Sequence, residues 1–357
     1  MEGSGRSRGM APSSIGDSQF VRRTLIVIGL VGLAYLAWSL RSVLLMVFGA
    51  VVVATLFRSL SGQFQRLRVP EGMALALSVV TIFAIVGGAA ALFGAQLVAQ
   101  AETIGQSLPK AWASLQQRLA GFGVGNQLSQ MVPTGPTSGI AASAGRFAMS
   151  IGGGLADALL IVVGGIFIAA SPKFYRKGMV KLVPDRRRAL VSDAFVDSGN
   201  ALQLWLKAQL LTMAGVGLAT GIGLWLVGME GALALGLLAA LLEFIPFVGP
   251  ILAAIPAVLI ALAVDPQLAL WVAGVYLVVQ QIEGYLLQPL LQQWAVDLPG
   301  AVLLFSLLAA GTLFGALGVI FAAPLTVVIY VLVKRLYVRE ALDTETPIPG
   351  EDQPADS

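Results

Sequence analysis

From Ala208 to Val333 the sequence holds no lysine and no arginine, while Glu230, Glu243, Asp265, Glu283 and Asp297 all fall inside that stretch. So long an apolar run without a cation reads as a succession of membrane segments. Within it LLEFIPFVGPILAAIP, Leu241 to Pro256, combines a carboxylate with three prolines. Proline lacks an amide hydrogen and clashes with the carbonyl one turn back. Pro246 and Pro250, four residues apart around Gly249, are therefore expected to interrupt any helix there. Broken backbone at membrane depth is tolerated only against protein or a wet cavity. An unpaired charge on Glu243 in hydrocarbon would cost roughly 3 kcal/mol on insertion scales, so a compensating partner is expected.

The rest of the chain agrees with a membrane solvent. It is 57% hydrophobic and 11% charged, with a mean hydropathy of +0.86, which points to an all-α, polytopic integral membrane protein. About six to eight membrane segments, re-entrant or broken helices among them, account for the apolar length. Histidine and cysteine are both absent, which removes disulfides, thiolate nucleophiles, imidazole bases and the usual zinc and haem ligands. No cofactor or metal is expected, nor an enzyme: the two membrane acids lack a GxGD context, and no GxxxxGK[ST] loop occurs. The net charge of +3 comes from basic residues beside apolar spans, where they set topology, so nucleic acid is not an expected partner.

In chain order, residues 1–20 read as a disordered cytoplasmic tail and 21–99 as N-terminal membrane helices. Thr24 to Leu40 is too long for a signal-peptide core. Ser42 to Phe57 is expected to return after a tight connection at Arg41, either as a crossing or as a shallow hairpin. Met73 to Ala99 is a long Gly- and Ala-rich span. Leu97, Ala101, Ile104, Leu108, Trp112, Leu115 and Leu119 continue it as an apolar seam of near-heptad spacing, suited to packing on its own chain or on another subunit. Residues 100–145 read as an extracytoplasmic helix followed by a flexible loop, Gly121 to Ser143. A membrane helix over 146–171 precedes a basic cytoplasmic loop and interfacial helix over 172–206, in which PKFYRKGMVKLVPDRRR is the strongest cytoplasmic marker. Residues 207–338 form the expected core, with the IPFVGP and QQIEGY motifs, and 339–357 an acidic disordered tail. Both termini are expected in the cytoplasm.

Two carboxylates in the core stand out. Glu230, Asp265 and Asp297 sit in short turns beside Gly or Pro and suit water-facing positions. Glu243 precedes the proline break, and Glu283 lies in QQIEGYLLQP with Gln280, Gln281 and Gln288. At helical spacing Gln281 and Gln288 share one face, and Gln280 and Glu283 an adjacent one. That segment is either an opposing wall of a solute path or a polar helix end at the interface. The final apolar stretch, Pro299 to Val333, is long enough for two crossings or for a hairpin bent between Gly315 and Pro324. Its IFAAPLTVVI echoes ILAAIPAVLI with one residue missing, by internal repetition or by chance.

The succession WLKAQLLTM, GIGLWLVGMEGALALGLLAALLEFIPFVGPILAAIPA, QQIEGYLLQPLLQ and LFGALGVIFAAPLTVVIYVLVKRLYV resembles the autoinducer-2 exporter (AI-2E) family of permeases over Thr24 to Val338. Lys207 and Ala208 depart from the pattern, since many relatives carry a glycine before the glutamine. The resemblance implies a bacterial inner-membrane protein that oligomerises, as a cyclic homo-oligomer, and exports small solutes. Some similar proteins are described as exporters of a quorum-sensing furanone and others as sodium/proton antiporters. The expected function is export of a small solute across the lipid bilayer, driven by a proton or sodium gradient, with an antiporter or a non-transporting membrane scaffold as alternatives. The pathway is expected at Glu243, Pro246, Gly249, Pro250, Gln280, Gln281, Glu283 and Gln288, with Glu243 binding the ion.

Overall fold

The computed structural model describes residues 14–120, 154, 156–292, 296 and 298–349. Among the described residues the chain is helical, with no strand. Among the described residues five helices are long and apolar enough to cross a membrane, six if a bent pair is counted. The protein is an all-α polytopic membrane protein. The tail before Ser14, the loop Gly121 to Ser143 and the end of the acidic tail lie outside the described residues, as do the side chains of the seam from Leu97 to Leu119.

The helices are α1 (Ser14–Ser39), α2 (Arg41–Arg66) and α3 (Glu71–Ala120), then α4 (Ala156–Ala170) and α5 (Pro172–Lys181). They are followed by α6 (Arg188–Leu226), α7 (Ala232–Leu242), α8 (Val248–Val264), α9 (Pro266–Ile282), a short α10 (Gln288–Gln292) and α11 (Gly300–Val333).

Residues up to Leu45 form one compact unit and the chain from Met46 another. In the first unit the expected reversal at Arg41 does not occur. The amide of Leu40 donates to Leu36 O and that of Leu44 to Leu40 O, each at 2.9 Å, so the helical ladder carries through the connection. Arg41 instead stacks on Trp38, 4.7 Å from the ring centroid.

In the second unit α2 and α4 pack through small residues. A Cβ at Gly165 would lie 2.8 Å from Val53 Cγ1 and 3.2 Å from Ala50 O, and one at Gly164 3.1 Å from Ala50 Cβ. Small residues let helix backbones approach where no hydrophobic drive separates protein from lipid. Arg58 closes the polar end of this pair. It donates to Ala169 O at 2.8 Å, satisfying a carbonyl at the end of α4, and pairs with Glu71 at the start of α3 at 3.5 Å. A 91° bend at Ser171 then turns the chain into the basic α5, where Pro172 occupies a first-turn position that needs no amide hydrogen.

The interfacial helix expected over Ala189 to Trp205 is the first part of a longer one, for α6 runs unbroken to Leu226. Of Leu190, Ala194, Leu202 and Trp205, which helical spacing is expected to put on one side, the last three are buried and Leu190 is half-buried, with Ala201 and Leu206 buried beside them. Asp185 does not cap α6 with its side chain; it ion-pairs with Arg188.

Candidate functional site

Two helical hairpins build the site. The first is α7 and α8, joined by Glu243 to Phe247. Its arms run antiparallel and close together. A Cβ on Gly249 would overlap the carbonyl oxygen of Leu242 and lie 2.6 Å from its carbonyl carbon, and further along Leu235 shares one buried cluster with Ala257 and Ile260. The prolines break the helix as their spacing suggests, but they divide the work. Pro246 sits in the tip, whereas Pro250 falls in the first turn of α8, which starts at Val248 and where a missing amide hydrogen costs little. Between them Phe247 has φ +63°, and the amide of Val248 donates to Pro246 O at 2.7 Å. That is a γ-turn with positive φ, a strained conformation for a side-chain-bearing residue.

The second hairpin lies inside α11. Gly315, at φ 66° and ψ −146°, leaves helical conformation, and the chain folds back on itself. A Cβ at Gly318 would overlap Ala310 O, and one at Gly311 would lie 3.0 Å from Val319 Cγ2. Residues eight apart on one straight helix are about 12 Å apart, so these approaches require a reversal. Of the two options for Pro299 to Val333, the chain takes the bent one. Phe321 in its second arm packs against Gly49 of α2, whose Cβ would meet the ring at 2.9 Å.

The tips meet. Ile245, from the turn of the first hairpin, packs on a buried cluster of Leu307, Ala310 and Ala322 near the tip of the second, with Phe314 and Val319 beside it. The first hairpin joins α9 at Asp265, which caps α9 by accepting from the Leu268 amide at 3.2 Å. The second starts at Gly300, beyond the other end of the Pro266–Leu290 span. Along the chain they are therefore joined to opposite ends of α9.

Glu243 lies at the first tip and is 1% exposed. Its carboxyl group lies within interaction distance of that of Glu283, itself 6% exposed. Gln280 Nε2 donates to Glu283 Oε2 at 2.7 Å and Gln288 Nε2 to Glu283 Oε1 at 3.3 Å. Among the described residues no hydrogen-bond donor reaches Glu243 Oε2. Residues Glu283 to Leu287 form a π-turn, which inserts one residue into the helical register and stacks Gln288 over Glu283, five positions before it. This corrects the pairing expected at ordinary helical spacing: Gln288 joins Gln280 and Glu283, and Gln281 is exposed and takes no part in these bonds.

One contributor was absent from the expected set. Gln209 of α6 donates its Nε2 to the backbone oxygen of Glu243 at 2.6 Å, satisfying a carbonyl that the end of α7 leaves free. One turn earlier Trp205 meets Phe244 edge-on, ring centroids 6.2 Å apart. Gln209 is the sole amide side chain between Ala208 and Leu226, and that isolation was the available signal.

A profile of the AI-2E transporter family matches residues 25–337. The chain belongs to the AI-2E transporter family. It is similar to YueF of Bacillus subtilis, named as a candidate transport protein, with 35% identity over 44% of this chain and 42% of YueF. PerM of Escherichia coli K12, named as a candidate permease, is 30% identical over 48% of this chain and 49% of its own. YhhT of Escherichia coli K12, also named as a candidate transport protein, is 23% identical over 88% of this chain and 90% of its own. The chain thus spans about half the length of YueF and PerM in these matches and nearly all of YhhT.

Proposed function

We propose that this AI-2E family member is a secondary transporter that exports a small solute across the bacterial inner membrane, with Glu243 and Glu283 binding the ion whose gradient drives export. The observation that carries the reading is a carboxylate 1% exposed at the tip of a broken hairpin, in contact with a second buried carboxylate. Charged side chains in membrane segments are costly and mark ion or solute paths. Opposed hairpins with free helix ends supply amides and carbonyls for a solute, as discontinuous helices do in other transporters. Pro246, Gly249 and Pro250 shape that wall, and Gln280 and Gln288 the facing one. The basic segment Pro172 to Arg188 and the C-terminal end, with Lys334, Arg335 and Arg339, lie in the cytoplasm on this reading. The protein assembles as a cyclic homo-oligomer, through small-residue faces of its early spans and the seam beyond Leu97, and native mass spectrometry in mild detergent checks the assembly.

The test is solute flux in proteoliposomes with and without an imposed proton or sodium gradient, for the wild type and Glu243→Gln. Gradient-dependent flux that the substitution abolishes supports the reading. Flux indifferent to both gradients and unchanged in Glu243→Gln refutes the coupling role. Sodium movement against protons without solute flux identifies an antiporter, and no flux of any kind leaves a scaffold.

A further inference from the structure

We propose that Glu243 and Glu283 hold a single proton between them, carried on a Glu243 carboxyl oxygen and donated to Glu283, and that this proton, not a sodium ion, is the species the site binds. The proposal rests on reading the pair as the ion site of a transporter and names its ion. Four observations carry it. The two buried carboxyl groups lie within interaction distance of each other, and two bare carboxylates do not stay so close without a proton or cation between them. Both acids are shut away from solvent, Glu243 at 1% and Glu283 at 6% exposure. Both oxygens of Glu283 accept an amide hydrogen, from Gln280 and from Gln288, which makes Glu283 the charged acceptor. Glu243 Oε2 is buried with no donor among the described residues reaching it, which suits a neutral acid and not a carboxylate.

A hard cation takes a shell of oxygen ligands. Here the surrounding amides turn N–H groups inward, and Gln209 spends its own on the Glu243 backbone oxygen. Among the described residues no ion pair involves Glu243 or Glu283. There is no Lys or Arg from Ala208 to Val333, and α3, which packs on both arms of the first hairpin, carries no charged residue from Gly72 to Ala95. On α6, Lys207 is two positions from Gln209, near the opposite side of the helix. The second hairpin presents Leu307, Ala310 and Ala322 to the tip. On α9, Tyr276 lies one turn before Gln280, with a buried hydroxyl. When the Glu243 O–H bond breaks the proton passes to water, leaving two carboxylates in contact, and like-charge repulsion drives them apart. Release of the proton is thereby tied to movement of the hairpin tip.

The test is infrared difference spectroscopy on the purified full chain, which reads the carbonyl stretch of a protonated carboxylic acid without any transport assay. The expected result is one such band near neutral pH in the wild type, shifted in deuterium oxide, lost in Glu243→Gln and unchanged when potassium is replaced by sodium. Gln280→Leu removes a donor from Glu283 while keeping both acids, so it must move the band even where Glu243→Gln gives too little folded protein. The proposal is overturned by an absent band, by a band that Glu243→Gln and Gln280→Leu leave untouched, or by sodium abolishing the band while raising the thermal midpoint of the wild type. A band that behaves as expected in a protein without gradient-driven flux would sink the transporter reading alone. Sodium-driven flux through a site without the band would sink this one alone.

Discussion

Gly249 faces the carbonyl oxygen of Leu242 so closely that a Cβ has no place between them. The two arms of the first hairpin touch backbone to backbone just below Glu243, and the carboxylate's position depends on that approach. Overpacking a tight site typically costs about 1–3 kcal/mol, and here the obstacle is backbone that cannot rotate away. Gly249→Ala is therefore expected at the upper end of that range. Its thermal midpoint and its elution profile in mild detergent check this. A variant as stable as the wild type would mean that the arms separate readily.

A second expectation follows from the hairpins being joined to opposite ends of α9. The chain has no native cysteine, so single cysteines report side directly. Cysteines at Glu230 and Asp265, at the two feet of the first hairpin, should label from one side of the membrane, and cysteines at Gly300 and Glu340, flanking the second, from the other. Opposite labelling of Glu230 and Asp265 would make α7 and α8 a full crossing and refute the re-entrant reading.

The break at IPFVGP and the isolation of Glu243 and Glu283 were legible because proline chemistry and the cost of a membrane charge are local matters. Their mutual contact was not, since it depends on how the first hairpin docks against α9. The Gly315 reversal was visible only as one of two ways to use an over-long apolar stretch, because glycine permits a positive φ without demanding it. The continuous ladder through Leu40 was misread for the same reason, as a single arginine between apolar runs suits a bend or a helix equally well.

Gln209 links α6 to the tip of the first hairpin, and its removal isolates that link. Gln209→Leu strands the backbone oxygen of Glu243 in a protein interior, at a cost of about 1–3 kcal/mol for a buried acceptor without its donor. Trp205→Ala removes the neighbouring ring contact with Phe244 by a separate route. Because the two residues sit one turn apart and hold the same turn, their combined effect should differ from the sum by about 0.5 kcal/mol or more. Unfolding of the two single variants and the double variant in detergent measures this, and strict additivity would argue that the tip is held elsewhere.

The π-turn supplies the sharpest discrimination between sequence periodicity and structure. At ordinary helical spacing Gln281 and Gln288 belong to one face and should be equally sensitive to substitution. In the fold, the residue inserted between Glu283 and Leu287 brings Gln288 onto Glu283, and Gln281, exposed like Gln288, makes no bond to it. Gln288→Ala removes one of the two amide donors from a buried carboxyl, an interaction with a charged acceptor for which about 1.5–3 kcal/mol is usual. The 3.3 Å separation places the expected loss at the lower end of that range. Gln281→Ala removes no such bond and should stay within about 0.5 kcal/mol of the wild type, as exposed substitutions do. Unfolding midpoints of the two variants, measured side by side in the same detergent, decide the matter. Equal losses would restore the uninterrupted helical register and dissolve the π-turn as the device that brings Gln288 to Glu283.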